Sequence, residues 1–169
     1  MTLRRALVSF GGAVALIAGL TACSSTVHVE PAAEANDPLC AEVTVAMRGL
    51  ESLAGQDKRW TDAQASLAWG DPTAIILRCG LPEPAPTSEL QCVTMQGVDW
   101  LVDAADAPML RLTSYGRSPA VQVYMDTGVV SGNDVIGSVT LASAVAKIPA
   151  TGACTAPDEL PEETEPPAS

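Results

Sequence analysis

The residues with the most specific chemistry lie near the N-terminus, where a Leu-Thr-Ala-Cys sequence ends at Cys23. The apolar run of residues 6–20 precedes it and follows Arg4 and Arg5. A cationic start, an apolar stretch of about 7 to 15 residues and a small-residue cleavage site are typical of a secretory signal. A cysteine at the cut position supplies a thiol that can carry a diacylglycerol. The sequence therefore predicts a signal peptide over residues 1–22 and a lipid on Cys23.

Two other interpretations of this segment fit less well. Residues 6–20 are too short for a membrane-spanning helix, which needs about 20 apolar residues. The residues around Arg4 and Arg5 also fit the twin-arginine pattern poorly, so we expect general secretion. An ordinary signal peptide, with Cys23 as a spare thiol, is the remaining alternative. We expect the mature chain on the extracytoplasmic face of the cell membrane, attached through the lipid on Cys23.

Export makes the number of cysteines informative, because disulfides persist outside the cytoplasm. Apart from Cys23 there are four: Cys40, Cys79, Cys92 and Cys154. They allow three pairings, among which sequence alone does not choose. The short Pro-rich segment between Cys79 and Cys92 favours a local bond there, which leaves Cys40 to pair with Cys154. A zinc site is the alternative, but no close Cys-x-x-Cys spacing supports it, and no metal or cofactor is expected.

The charge of the chain excludes one class of partner. After removal of residues 1–22, seven Lys and Arg stand against twenty Asp and Glu, a net charge of −13. Nucleic-acid binding needs a basic patch, and the few cations are scattered among carboxylates along the sequence. An acidic surface is also repelled by anionic headgroups. We therefore expect no nucleic-acid partner and no polybasic membrane face, so that the lipid alone holds a water-soluble body.

Composition divides the chain into four segments. After the signal peptide, residues 23–36 have the Ser, Thr, Pro, Ala and Glu content of a flexible tether. Residues 37–155 have the size of a single domain with one core. Residues 156–169 are acidic and Pro-rich, and a tail of this composition is predicted to be disordered.

Apolar spacing predicts a helix at each end of the domain. The first has Asp37 as its cap, Pro38 as its first residue and Gly55 at its end. Its apolar positions are Leu39, Val43, Met47 and Leu50. The second is capped by Asn133 or Asp134 and stopped by Pro149. Its apolar face comprises Val135, Val139, Ala142 and Ala146.

Alternating residues between these helices predict three hairpins. The predicted strands are 64–69 with 74–78, 92–95 with 98–102, and 110–115 with 121–126. Gln96 and Gly97 have the two-residue spacing of a tight turn. The sequence therefore predicts an α+β fold. Its small antiparallel sheet of about six strands packs with an N-terminal and a C-terminal helix, and disulfides staple it.

Few residues suit catalysis. His28 is the only histidine and falls in the predicted tether, so a Ser or Cys nucleophile would lack a positioned base. Asp99, Asp103 and Asp106 are close in sequence, which leaves a carboxylate-dependent enzyme as an alternative to a solvated acidic surface. The loop from Asp103 to Asp106 lacks the spaced ligands and the glycine of a calcium-binding loop.

Aromatic and cationic residues define a candidate binding surface. Trp60, Trp69 and Trp100 each fall in or beside a predicted strand; core filling is the usual role of tryptophan, and Trp100 is the candidate for a site. The polar face of the last hairpin adds further candidates, namely Arg111, Tyr115, Arg117 and Tyr124. Together they would suit an anionic partner. The alternative is a set of long side chains that shield the sheet.

Four short motifs resemble those of a known family. They are Ala-Trp-Gly-Asp-Pro at 68–72, Leu-Arg-Cys-Gly at 77–80, Gly-Val-Asp-Trp at 97–100 and Ile-Pro-Ala-Thr-Gly-Ala-Cys at 148–154. With the placement of Cys23, the chain resembles an actinobacterial lipoprotein family, domain of unknown function 3515, over about residues 38–155. The resemblance implies a membrane-tethered protein outside the cytoplasm of a high-GC Gram-positive bacterium. It implies no catalytic residues for this sequence.

Three functions remain open on this basis. The first is a non-enzymatic, lipid-anchored domain that binds an envelope protein or a small ligand. The second is a cell-envelope enzyme with carboxylates in a cleft near Trp100. The third is a structural subunit of a membrane complex, which would present the last hairpin to a neighbouring protein.

Overall fold

A computed structural model describes residues 26–154. The predicted signal peptide, Cys23 and the predicted acidic tail lie outside the described residues. In chain order the elements are α1 (Pro38–Ala46), β1 (Ser52–Leu53), β2 (Gln56–Arg59), β3 (Ser66–Trp69), β4 (Ile75–Leu81), β5 (Gln91–Met95), β6 (Val98–Asp103), β7 (Met109–Ser114), β8 (Ala120–Asp126), α2 (Gly132–Ile136) and α3 (Val139–Val145). None of the helices in this part of the chain has the length and apolar character needed to cross a membrane.

The strands form one antiparallel sheet in the order β1-β2-β3-β4-β8-β7-β6-β5. Alternate side chains of the central strands, such as Leu77, Leu112 and Val123, are buried in the core. Helix α1 contacts both α3 and β4, and the buried side chains of α1 and α3 belong to the same core. Each large aliphatic side chain buried there contributes about 1.5–3 kcal/mol. The predicted α+β class and antiparallel sheet are confirmed, with eight strands instead of about six.

Helix α1 begins where the sequence predicts it. The Asp37 carboxylate accepts a hydrogen bond from the backbone N–H of Leu39 at 2.8 Å, and Pro38 occupies the first helical position. The helix ends at Ala46, well before the predicted end at Gly55. Ala54 and Gly55 instead have φ of 49° and 77°, the positive pair that a tight hairpin turn requires. This turn joins β1 to β2, the two strands that the sequence prediction missed.

The three predicted hairpins are present. Gln96 and Gly97, with φ of 52° and 75°, form the predicted tight turn between β5 and β6. The pairings β3 with β4 and β7 with β8 are also found. The sequence prediction did not include the pairing of β8 with β4, which joins the hairpins into a single sheet.

The predicted C-terminal helix is divided in two. Helix α2 stops at Ile136, Gly137 follows as its C-cap, and the Ser138 hydroxyl accepts a hydrogen bond from the Leu141 N–H as the N-cap of α3. An N-cap residue has non-helical backbone angles. Ser138 has φ of −63° and ψ of 116°, so it interrupts the helical path between α2 and α3. The apolar spacing of the segment spans both pieces and therefore did not reveal the break.

All four cysteines of the domain form disulfides, but the favoured pairing was wrong. Cys40 bonds Cys79, and Cys92 bonds Cys154. Strands β8, β7 and β6 lie between β4, which carries Cys79, and β5, which carries Cys92. At about 4.8 Å per strand, this separation far exceeds the Cα distance of about 7 Å that a disulfide allows. The two bonds instead link α1 to β4 and the C-terminal segment to β5, and they leave no thiol for a zinc site.

Residues 26–36, assigned to the flexible tether, pack on the domain. Val27 pairs with Thr61 in a parallel bridge, and Val29 and Ala35 are buried. The Glu34 N–H donates to the Gly80 oxygen at 2.9 Å. The two valines and three small alanines of this segment give too weak a periodic signal to predict the contact. The folded unit therefore begins before Asp37, and the packed residues 26–36 are named the N-terminal segment below.

Candidate functional site

A cleft of about 560 Å³ opens between the C-terminal half of α1 and the strands β2 and β3. Its volume falls within the range of small-molecule sites. Three cations, one carboxylate and several apolar side chains line it: Thr44, Val45, Arg48, Glu51, Lys58, Arg59, Trp60, Thr61, Ser66 and Leu67. The lining has a net charge of +2, whereas the whole chain carries −11. This cleft is the candidate site.

Backbone contacts hold two of the three cations in place. The Lys58 ammonium donates to the backbone oxygens of Met47 and Arg48, at 3.1 and 3.0 Å. Met47 is the C-cap of α1 and Arg48 follows it, and a cation at this end of a helix is favoured by the helix dipole. The Arg59 guanidinium donates to the Gly70 oxygen and contacts Asp71, each at 3.0 Å. Both charges are therefore positioned by the fold before any ligand arrives.

Arg48 is the adaptable cation of the cleft. It follows the C-cap of α1 and is exposed. Within residues 26–154 its side chain has no hydrogen bond or ion pair. A guanidinium with five free donors suits bidentate contact with a phosphate or carboxylate. Arg48 therefore supplies the cleft with a donor group that no protein acceptor occupies.

Two exposed apolar side chains accompany the cations. Trp60 is 77% exposed and Val45 is 57% exposed, whereas Trp69 and Trp100 are 0% exposed. An indole that remains in water offers a large, rigid contact area to a ligand or an interface. The combination of fixed cations, a free guanidinium and exposed apolar surface can hold an anionic group that has an apolar part attached.

Sequence reasoning missed this cleft, although a signal for it exists. Lys58 and Arg59 are the only two cations adjacent in sequence after residue 5, and Trp60 follows them directly. Strand β2 has the sequence Gln-Asp-Lys-Arg, which lacks the alternation of apolar and polar residues by which a strand is predicted. The strand that carries Lys58 and Arg59 was therefore missed. The contribution of α1, through Val45 and Arg48, could not be found without the fold.

The N-terminal segment runs along one edge of the cleft. The Val27 N–H donates to the Trp60 oxygen at 2.8 Å, and the Val29 N–H donates to the Asp62 carboxylate at 2.9 Å. His28 Nδ1 lies 2.6 Å from Asp62 Oδ2. The hydrogen bond and the charge of Asp62 raise the pKa of His28, and His28 in turn lowers the pKa of Asp62. The sole histidine thus helps to fix this segment beside Trp60.

The five residues of the predicted binding surface do not form one surface. Trp100 is fully buried in the core, and its indole N–H has no hydrogen-bond partner there. Arg117 is only 6% exposed, and its guanidinium donates to the Ile148 oxygen. This burial lowers the pKa of Arg117. Tyr115 is half-buried just beyond β7.

Arg111 and Tyr124, the other two, do lie together across β7 and β8. The guanidinium carbon is 5.1 Å from the centre of the Tyr124 ring, within the range of a cation–π contact. The guanidinium also contacts the carboxylates of Asp103 and Asp106. These carboxylates compete with an external anion for Arg111, so this pair is a poor anion site.

Each of the three acids considered for catalysis has a donor partner. Asp103 and Asp106 share Arg111, and Asp99 accepts hydrogen bonds from the Thr94 hydroxyl and the Cys154 N–H, at 2.5 and 2.9 Å. The hydrogen bond with Asp106 raises the pKa of Arg111. These hydrogen bonds and ion pairs link β5, β7 and the C-terminal segment to the residues of β6 and its exit loop. Across residues 26–154, no group of three His, Cys, Asp or Glu side chains is placed to hold a metal ion.

Comparison with known proteins gives a family and no function. The model of the family described as "Protein of unknown function (DUF3515)" matches residues 7–153. No curated protein and no solved structure gives a significant match. The match covers most of the chain, including α1, β2 and β3, which border the cleft, and the N-terminal segment. The chain therefore belongs to the DUF3515 family.

Proposed function

We propose that this protein is an actinobacterial envelope lipoprotein whose domain binds a ligand in the cleft between α1, β2 and β3. In this proposal the chain is exported, cleaved before Cys23 and anchored on the extracytoplasmic face of the cell membrane through a diacylglycerol. The domain is a non-enzymatic binding module. Its ligand is an anion with an apolar part.

The composition of the cleft carries the binding proposal. Seven cations follow Cys23 in the sequence, and three of them line this one cleft together with Trp60. In a chain of net charge −11, such a concentration requires a local reason. Charge complementarity with an anionic ligand is that reason, because fixed cations strengthen binding and reject cationic competitors.

The export proposal is supported by the leader sequence and by the disulfides. A cationic start, an apolar run and a Leu-x-Ala-Cys ending precede the domain, as in a secretory signal. The four later cysteines form two disulfides, which persist in an oxidising compartment. Lipidation of Cys23 gives the fifth cysteine a role that does not leave a free thiol.

Anchoring is tested by replacing the acceptor cysteine in cells fed an alkyne fatty acid. We expect the native protein to be labelled and to sediment with membranes. Cys23→Ala should abolish the label and leave the protein outside the membrane fraction. Ser24→Ala is the matched control and should behave as the native chain. A labelled Cys23→Ala variant would contradict the anchor.

Binding in the cleft is tested with a photoreactive amino acid at position 60, in place of Trp60. We expect irradiation of intact cells to give a reproducible adduct of defined mass. Val139 is the matched control position, because it is also apolar and exposed, at 65%, and does not line the cleft. The adduct should weaken when Arg48→Gln is added. Equal adducts at positions 60 and 139 would contradict a binding role for the cleft.

A further inference from the structure

We infer that the ligand of the cleft is the anionic headgroup layer of the membrane that holds the anchor, so that Trp60, Val45 and Arg48 dock the domain on that membrane. This inference rests on the proposed lipidation of Cys23 and names the ligand class for the same cleft. It follows from the path of the chain, the chemistry of the cleft rim and the distribution of charge.

The path of the chain places the cleft beside the anchor. Val27 is bonded through its N–H to the Trp60 oxygen and pairs with Thr61. Only four peptide units separate Val27 from Cys23, and an extended chain of that length spans at most about 14 Å. A lipid on Cys23 therefore holds the rim of the cleft near the bilayer surface.

The rim has the side chains that suit a bilayer interface. Tryptophan is enriched at headgroup level because its ring is apolar and its N–H is polar. Trp60 and Val45 are the two exposed large apolar side chains on this rim. Arg48 is exposed and has no side-chain acceptor among residues 26–154, so its guanidinium can contact a lipid phosphate. Lys58 and Arg59 add fixed positive charge behind it.

The distribution of charge leaves the cleft as the favourable approach. The mature body, with seven Lys and Arg against twenty Asp and Glu and a net charge of −13, is repelled by an anionic surface, and that repulsion falls off within a Debye length. The lining of the cleft carries +2, and the local charge stays positive, at +1, when Asp71, which pairs with Arg59 at 3.0 Å, is counted with it. The sequence expectation of scattered cations overlooked this clustering, because Arg48 and Lys58 come from different elements. Docking through the cleft thus lets an acidic domain rest on the membrane in one orientation.

The test uses residues 24–169, which keep every described residue and both disulfides but lack the anchor. Vesicles of phosphatidylglycerol with phosphatidylcholine are compared with phosphatidylcholine alone, by co-sedimentation and by tryptophan emission. Trp69 and Trp100 are 0% exposed, so a shift of the emission reports on Trp60. We expect a blue shift and at least about five-fold stronger binding to the anionic vesicles, since each contributing cation near the surface is worth about that factor.

Matched variants locate the contact. Arg48→Gln should weaken binding about five-fold, and Trp60→Ser should abolish most of it. Lys147→Gln and Val139→Ser change an exposed cation and an exposed apolar residue outside the cleft, and both should bind as the native chain does. Equal binding to both vesicles, or equal losses in Arg48→Gln and Lys147→Gln, would overturn the inference. So would saturation of the cleft by free glycerol 3-phosphate without any vesicle binding.

The result is independent of the anchoring test. A fatty-acid label on Cys23 together with no preference for anionic vesicles would contradict the docking inference and support the anchor. Vesicle binding through Arg48 and Trp60 with an unlabelled Cys23 would contradict the anchor and support docking.

Discussion

His28 and Asp62 form an ion pair, with Nδ1 of the imidazole 2.6 Å from Oδ2 of the carboxylate. The other oxygen of Asp62 accepts the Val29 N–H, so one carboxylate binds the N-terminal segment through both a side chain and the backbone. Asp62 follows Trp60 by two residues, and both members of the pair are exposed to solvent. Its protonation therefore bears on how firmly the segment holds the edge of the cleft.

We predict that this attachment is strongest in a weakly acidic window. The pKa of His28 is raised above its usual 6.5, so the contribution of its charged form is lost as the pH rises through that raised value. The pKa of Asp62 is lowered from 3.8, so its contribution is lost as the pH falls through that lowered value. The protection of the Val27 amide, its exchange rate relative to that of an unstructured chain at the same pH, should be greatest between the two limits.

NMR titration checks the origin of the His28 shift, and the single imidazole of the chain makes its signal unambiguous. Asp62→Asn should return the pKa of His28 close to its ordinary value. Glu30→Gln removes a carboxylate that contributes less to the same shift, and it should lower the pKa only slightly. An unchanged pKa in Asp62→Asn would refute the pair as its cause.

Local signals in the sequence were sufficient for parts of this fold. Asp37 and Pro38 mark the start of α1 through cap chemistry that involves two adjacent residues. Gln96 and Gly97 identify a hairpin turn because few residues accept positive φ. Such features depend on neighbours in the chain, and for that reason they could be found without the structure.

Contacts between distant segments could not be predicted in this way. The pairing of β4 with β8 fixes the sheet order, and the sheet order decides that Cys79 meets Cys40 instead of Cys92. The cleft likewise needs Arg48 from one element and Trp60 from another. Trp60 and Trp100 each fall in or beside a predicted strand, so the sequence does not distinguish them. In the structure Trp60 is 77% exposed and Trp100 is 0% exposed, so Trp100, the tryptophan expected at a site, belongs to the core.

A series of glycine variants should separate backbone strain from steric overlap. At Gly80, φ is +107°, and a Cβ would lie closer than 3.0 Å to the backbone of Glu34 and Ala35. We expect Gly80→Ala to destabilise the fold by more than about 2 kcal/mol, since strain and overlap both act. It should also speed proteolysis of the N-terminal segment, which can relieve the overlap by detaching.

Two other glycines provide graded controls for the same measurement by chemical denaturation. Gly97 has φ of +75° and nothing within 4 Å of the added Cβ, so Gly97→Ala should cost only about 1–2 kcal/mol. Gly49 has open space and no positive φ, and Gly49→Ala should be neutral or stabilising by up to about 1 kcal/mol. A Gly80→Ala variant as stable as Gly49→Ala would contradict the packing of the N-terminal segment.

The two disulfides should each contribute substantial stability. They close loops with sequence separations of 39 and 62 residues, and the chain-entropy relation gives about 4 kcal/mol for each. We expect the double variant Cys40→Ala with Cys79→Ala to lose about that amount in urea unfolding. Mass mapping of non-reduced peptides should recover the two bonds of the structure. A peptide that links Cys79 to Cys92 would contradict the sheet order.

The electrostatic potential at Trp60 is expected to be positive, because Arg48, Lys58 and Arg59 line the same cleft. Because cations line the cleft, anionic iodide should quench the exposed tryptophan about two-fold more strongly than caesium does, despite the net charge of −13 on the mature chain. Trp60→Phe should leave an emission that resists both ions, since Trp69 and Trp100 are 0% exposed. Arg48→Glu should reverse the preference, whereas Lys147→Glu, a matched change outside the cleft, should retain it. Stronger quenching of the native protein by caesium would show that the acids of the whole chain outweigh the local cations, and the cleft would then have no attraction for an anion.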